Sequence, residues 1–527
     1  QRIRLSPQEK HLAGIFVCMG QEWATDDVLF YTTLEGLRCT AVFRLDLTSS
    51  GSRIASVYEE THPDVFVEVA LSRDRQILSI NCNSRTSSEV LFIDRTTSHL
   101  EPFLVQPRQL DLLYHVEHWR KSLIILTNTG PGHEYQVELN TPLSEPSMVS
   151  WVPLFCPDPG TAVKDMDVVG DHCVLVLPSW ACAIQTKKPG TADQRSVLEF
   201  LISSPVHFPV PYCLYPEDGI LSSDTEDESS PGNQGKNATT RLEACSQDGT
   251  LVPVTLFHSG PVEGLKQAPL LVHVYGAYGR DLNMEFCAEK RLLLEQGWAL
   301  AYCHIRGGGE RGLSWQRQAC VEGKQRGVQD LQASCSAGAV PVGALCNRHP
   351  HMMRAVTLQA PFLDVLGTME DPSLPLTLED REEWGDPVGN PKHRLTISSY
   401  CPLHNITPQC YPSILLTAYS GDARVPLAGV LRYTEQLKNA IHTHFTVKPK
   451  SILNIQPGAN HLGPEDFELM LEEVMHSTAN MFYQLTYWVQ TESFSLCLFS
   501  RTQEALALAF LYTELGLDPP RPRRRKR

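Results

Sequence analysis

The feature that most constrains this chain is a change of pattern across an acidic, serine-rich stretch, residues 216–240, which contains Ser222-Ser-Asp-Thr-Glu-Asp-Glu-Ser-Ser-Pro-Gly232. Such a stretch has too little apolar surface to bury and reads as a solvated linker, with a phosphorylation-switched loop as the sharper alternative. Before it, residues 1–215 alternate in short runs: Val65, Val67, Val69 and Leu71 are interleaved with Phe66, Glu68, Ala70 and Ser72. That is the period of two of half-buried strands. A strand–turn–strand unit recurs at 3–16, 67–80, 113–126 and 166–177. The spacing predicts an all-β propeller, incomplete at about four units, with a β-sandwich as the alternative. After the linker, apolar strand runs at 270–275, 298–305, 355–358, 414–418 and 452–455 alternate with helical patterns. These predict a doubly wound α/β domain over 241–518. Residues 284–295 read as a helix. So does the segment opened by Pro426, with Leu427, Val430, Leu431, Thr434, Leu437 and Ile441 on one face.

Charge narrows the function classes. The net charge is −15, and six of the 45 basic residues fall within the tail 519–527, so the body is more acidic still. That argues against a nucleic-acid-binding body. No apolar run is long enough to span a bilayer, and residues 1–4 carry no signal-peptide core, so a cytoplasmic protein is expected. The first residue is not Met, and the true N-terminus is expected to lie upstream. Sixteen cysteines without a CxxC pair read as thiols of a reducing compartment, and the sequons at Asn237 and Asn405 carry no weight there. The pairs His442/His444 and His349/His351 lack supporting carboxylate or thiol spacing, so neither a metal nor a cofactor is expected. The basic tail reads as a disordered end, with nuclear import or anionic-membrane contact as alternatives.

Reactive side chains of open α/β sheets sit on loops leaving the carboxyl ends of strands. Three candidates fall there in chain order. Ser336 lies in Ser334-Cys-Ser-Ala-Gly338, a variant of the Gly-x-Ser-x-Gly turn; Asp422 follows the 414–418 run; His461 follows 452–455. Each alone fits an ordinary turn. Together they have the Ser, Asp, His order of α/β-hydrolases, in which histidine takes the serine proton and the carboxylate holds the imidazole tautomer.

The neighbouring motifs carry a resemblance. Asp248-Gly-Thr-Leu-Val-Pro-Val-Thr-Leu256, Val274-Tyr-Gly-Ala-Tyr-Gly279, Arg306-Gly-Gly-Gly-Glu310, Ala360-Pro-Phe-Leu-Asp364, Glu382-Glu-Trp-Gly385, Tyr411-Pro-Ser413 and Asp422-Ala-Arg-Val-Pro426 resemble the prolyl oligopeptidase family of serine peptidases. Within it they are most similar to the vertebrate prolyl endopeptidase-like branch. The resemblance implies a β-propeller followed by an α/β-hydrolase domain. It implies Ser336 as nucleophile, His461 as base and Asp422 as its partner, with Tyr275 and the N–H of Ala337 as oxyanion donors. Asp380 and Glu382 fall where dibasic-specific relatives hold a basic substrate side chain, although a solvated helix start explains them equally well. Arg306 and Glu310 look structural in the same pattern. The implied function is a serine hydrolase of short peptides or small acyl esters. The alternative is a catalytically impaired member that binds protein partners through its propeller, with a link to Golgi or vesicle traffic.

The chain departs from that pattern in two places. A helix plus a strand takes roughly 16–18 residues, yet the segment between Asp330 and Ser336 is too short to hold them and has no apolar β run. The strand that lifts the nucleophile is therefore expected to be missing, a deletion near 331–335. Residues 472–503 read as an insertion before the family's closing segment at 510–518. Both departures point to an altered splice form or gene model. Pro341 is expected in the helix after the serine, harmless only in its first turn.

Overall fold

The computed structural model describes residues 20–35, 37–48, 51–119, 121–140, 148–158, 161–169, 172–177, 181–186, 197–223, 237–334, 339–442, 449–456, 461 and 498–517. The N-terminal half is a succession of antiparallel meanders, as its alternation demands. Four-stranded sheets are formed by β1–β4 (Gln21–Trp23, Val28–Glu35, Arg38–Thr48, Gly51–Glu59), by β5–β8 (Phe66–Leu71, Ile77–Asn83, Ser88–Asp94, Pro102–Gln106) and by β9–β12 (Tyr114–Trp119, Ser122–Thr127, Gln136–Asn140, Trp151–Phe155). A two-stranded sheet, β13–β14 (Asp165–Val169, His172–Val176), precedes a last four-stranded one, β15–β18 (Ala183–Thr186, Leu198–Ser204, His207–Tyr215, Ile220–Ser223). Three of the recurring sequence units are the hairpins β5–β6, β9–β10 and β13–β14. The unit at 3–16 lies outside the described residues.

Successive sheets share cores. Val67, Val69, Leu78 and Ile80 pack with Phe30 and Val42 of the preceding sheet, while Ile77, Val90 and Phe92 pack with Leu123 and Ile125 of the next. Face-to-face packing of short meanders is how a propeller buries strands that are apolar on alternate residues.

In the C-terminal half, β19 (Asn237–Cys245) and β20 (Leu251–Ser259) form a hairpin whose turn uses Gly249 at positive φ. There follow β21 (Leu270–His273), α1 (Ala288–Glu295), β22 (Ala299–Cys303), α2 (Leu313–Arg317), α3 (Lys324–Ser334) and α4 (Ala339–Arg348). The remainder is β23 (Ala355–Gln359), α5 (Val365–Met369), α6 (Thr377–Trp384), α7 (Pro391–Tyr400), β24 (Ser413–Tyr419), α8 (Leu427–His442), β25 (Ser451–Gln456) and α9 (Leu498–Leu515). All five strand runs expected from the sequence are strands. β21 and β22 pair in parallel, as do β23, β24 and β25. Every residue of β22 and β24 is buried, which is why both read as unbroken apolar runs.

Two details differ from the sequence expectation. α1 starts at Ala288 rather than 284, because Asn283 Oδ1 accepts the N–H of Glu285 at 2.8 Å and holds a turn ahead of the helix. On α8, Leu431 is 43% exposed while Tyr433 is buried. A step of one residue turns about 100° round a helix, so Leu431 lies off the stripe marked by Val430, Thr434, Leu437 and Ile441.

The sheet is divided. Among the described residues β19–β20–β22–β21 form one sheet and β23–β24–β25 another. A cavity of about 280 Å³ lies between them, lined by Leu271 and His273 of β21, Thr357 to Gln359 of β23, Leu415 and Thr417 of β24, and side chains of α1 and α9. The chain between β22 and β23 supplies helices α2, α3 and α4, and no strand among its described residues. The segment near 331–335, where a deletion is expected, runs from the end of α3 into residues 335–338, which lie outside the described residues. Pro341 is the third residue of α4, in the first turn, where a missing N–H costs no helical bond. α9 carries the expected closing segment, its Phe510 and Leu511 packing with Leu293, Leu294 and Trp298. Residues 224–236, 462–497 and 518–527, which hold most of the expected linker, the expected insertion and the basic tail, lie outside the described residues.

Candidate active site

The turn after β24 is built by one side chain. Asp422 Oδ1 accepts the N–H groups of Arg424 at 2.8 Å and Val425 at 2.9 Å, which folds the chain back toward α8. Oδ2 is left to face His461, whose Nδ1 lies 2.7 Å away. The Asp422 side chain is 2% exposed and that of His461 is 30% exposed. Burial pushes the Asp422 carboxyl up, but the hydrogen bonds from His461 and from the Val425 and Arg424 N–H groups outweigh it and hold it below the usual carboxylate range. An ionised carboxylate only accepts, so His461 donates to it through Nδ1, which fixes the orientation of the ring.

Tyr275 leaves the carboxyl end of β21 and is exposed. Its loop is threaded by glycines for a steric reason. Gly279 N–H donates to Gly307 O at 2.9 Å, and a Cβ on Gly307, at φ +93°, would meet Gly276 O at 2.4 Å. The two glycine-rich motifs recognised separately in the sequence are therefore one feature, two loops crossing backbone against backbone. Ser336 and Ala337 lie outside the described residues.

Arg306 explains how the segment ahead of the serine is fixed. Its guanidinium, 1% exposed, donates from Nε to Asp330 Oδ2 at 2.8 Å, from Nη2 to Asp330 Oδ1 at 2.6 Å and from Nη1 to Asp248 Oδ2 at 2.6 Å. Ser246 Oγ adds a donor to Asp330 at 2.6 Å. The exit of β22, the β19–β20 turn and α3 are joined in one buried, bidentate network. Glu310 accepts the N–H of Leu282 at 2.9 Å, which fastens the neighbouring loop.

Asp380 and Glu382 do not stand open. Both lie on α6 and face the propeller, where the turn between β6 and β7 presents Arg85 and Thr86. Arg85 Nη2 is 2.8 Å from Glu379 and 3.3 Å from Asp380, and its guanidinium carbon sits 4.4 Å from the Tyr278 ring centroid. Thr86 Oγ1 donates to Glu382 Oε1 at 2.7 Å. Trp384 Nε1 donates to Tyr278 at 2.9 Å, so the cation, two rings and the acids form one interdomain cluster. Burial pushes Asp380 up to about 6, the Arg85 charge opposing it and Glu379 adding to it. A second bridge joins Lys164 Nζ to Asp281 at 2.7 Å, and in a third Glu134 accepts the first N–H groups of α2, from Leu313 at 2.9 Å and Ser314 at 2.8 Å. No local signal in the sequence marks Arg85 or Thr86, because a polar hairpin tip is ordinary until its partner is known.

Comparison with known proteins agrees with this architecture. Residues 335–479 match the Prolyl oligopeptidase family, and residues 15–185 match Prolyl oligopeptidase, N-terminal beta-propeller domain. The chain is 41% identical over 512 residues to Prolyl endopeptidase-like of Homo sapiens, covering 87% of this chain and 70% of that protein. It is 38% identical over 556 residues to Prolyl endopeptidase-like of Gallus gallus, covering 91% and 75%. Oligopeptidase B from Leishmania major superposes with a TM-score of 0.73 at 22% identity, over 84% of this chain and 68% of that one. Oligopeptidase B from Trypanosoma brucei, solved with covalently bound antipain, gives 0.73 at 24% identity, over 83% and 69%.

Proposed function

This chain belongs to the prolyl oligopeptidase family, and from that premise we propose that it is a serine hydrolase of short peptides or small acyl esters. The observation that carries the reading is the Asp422–His461 pair, 2.7 Å apart, with the carboxyl held below the usual carboxylate range. In this reading His461 Nε2 takes the proton of Ser336 Oγ as Oγ attacks the substrate carbonyl. Tyr275 and the N–H of Ala337 receive the oxyanion. The imidazolium then protonates the leaving group, and water repeats the cycle on the acyl-enzyme. Each oxyanion donor is worth on the order of 3 kcal/mol of barrier. The propeller closes over the site and limits substrates to short chains, and we place the protein in the cytosol.

The divided sheet favours a second reading, a catalytically impaired member that binds protein partners through its propeller in vesicle or Golgi traffic. α3 runs to Ser334, and among the described residues no strand lies between β22 and β23. Covalent labelling by a fluorophosphonate probe separates the two readings, with Ser336→Ala as control and circular dichroism as the test of folding. Labelling lost in Ser336→Ala supports the hydrolase. A folded chain that never labels supports the binding role.

A further inference from the structure

One cluster outside the site joins three residues far apart in sequence. Asp364 follows β23 and caps α5, its Oδ1 accepting the N–H of Gly367 at 3.0 Å. Cys401 ends α7, and His404 sits one turn later. Cys401 Sγ is 3.2 Å from His404 Nδ1, which is 3.9 Å from Asp364 Oδ1, and the three donor atoms all lie within 4.8 Å of one another. Tetrahedral zinc, with bonds of about 2.0–2.3 Å, holds such donors roughly 3.3–3.6 Å apart. The trio is thus within side-chain adjustment of a binding geometry.

We propose that Asp364, Cys401 and His404 bind a zinc-class divalent cation. Thiolate, imidazole and carboxylate together select such an ion over magnesium or calcium, which take oxygen. Two ligands are negative when bound, so they neutralise the ion in a site where Asp364 and Cys401 are buried. The Cys401 thiol gives its proton to solvent as the sulfur–metal bond forms. Arg432 already pairs with Oδ2 of Asp364, which leaves Oδ1 turned toward His404. The His404 side chain is 42% exposed, which supplies the entry path and leaves the fourth position to water. The ion would tie the exit of β23 to the end of α7.

The test is a cobalt(II) titration of the full chain under reducing, anaerobic conditions. The expected result is a near-ultraviolet sulfur-to-cobalt charge-transfer band with visible tetrahedral bands, saturating at one equivalent and displaced by zinc. Cys401→Ser should abolish the charge-transfer band, and His404→Gln should weaken binding by at least about tenfold. A folded chain that gives no such band overturns the proposal. So does a band that survives Cys401→Ser, since the exposed thiols Cys156, Cys245 and Cys410 would then hold the metal. His404 is at the surface, so His404→Gln decides the matter should Cys401→Ser fail to fold; unchanged affinity in that variant overturns the proposal.

Discussion

The two arms of the proposed catalytic centre are built on different principles. Asp422 is carried by β24, a strand buried along its whole length and hydrogen-bonded to β23 on one side and β25 on the other, followed by a side-chain-locked turn and the long helix α8. Ser336 is preceded by the helix α3 and followed by α4, and what holds α3 is not a ladder but the Arg306–Asp330–Asp248 network. A strand paired on both sides fixes the end of its loop through backbone bonds that any sequence can make. A helix end fixed by ion pairs depends on a few particular side chains.

The largest test of this contrast falls on the preformed arm. Asp422→Asn should lower any turnover about 10⁴-fold by releasing the imidazole tautomer, read as initial rates on an activated ester. An Asp422→Asn protein as active as its parent would break the comparison. On the other arm, Asp330→Ala should cost roughly 3–5 kcal/mol in urea unfolding, since it strands the buried Arg306 charge. An indifferent result would mean that α3 is held by something else. Within α8, Leu437→Ala should cost about 2–5 kcal/mol and Leu431→Ala less than about 0.5 kcal/mol, the difference measuring how firmly that helix backs the Asp422 turn.

Smaller effects sharpen the picture. Amides of β24 should exchange more slowly with deuterium than those of β21 and β23, which border the cavity between the sheets. Equal protection would show that the slot is closed in solution. The interdomain cluster should respond to pH. Asp380 has its folded pKa raised to about 6, so its contribution to stability is full below the ordinary carboxylate pKa and is lost as pH rises through 6. Thermal midpoints should therefore fall between about pH 4 and 6, and Asp380→Asn should flatten that slope.

Much of the fold was legible because it rests on short-range pattern. Alternation of Val65, Val67 and Val69 set strand faces, and the apolar runs around Leu300 and Leu416 marked strands buried on both faces. The segment between Asp330 and Ser336 is short in the sequence itself, and α3 occupies its described part. Asp422 and His461 were readable from their places after strands. Leu431 and the start of α1 were misread because a single residue step, or one Asn side chain, decides them.

What remained hidden was every pairing across long stretches of chain. Arg85 meets Asp380 across 295 residues, Lys324 meets Glu383 in a buried pair, and Cys401 meets Asp364 from another loop. The sequence by itself determined which segments are strands or helices and where glycine must stand, because those depend on backbone sterics and periodicity within a few residues. Only the tertiary structure decided that the acids on α6 face a propeller arginine, that the described strands of the second half form two sheets, and that three distant donors converge. Such contacts follow from which surfaces bury one another, a property of the whole packed chain.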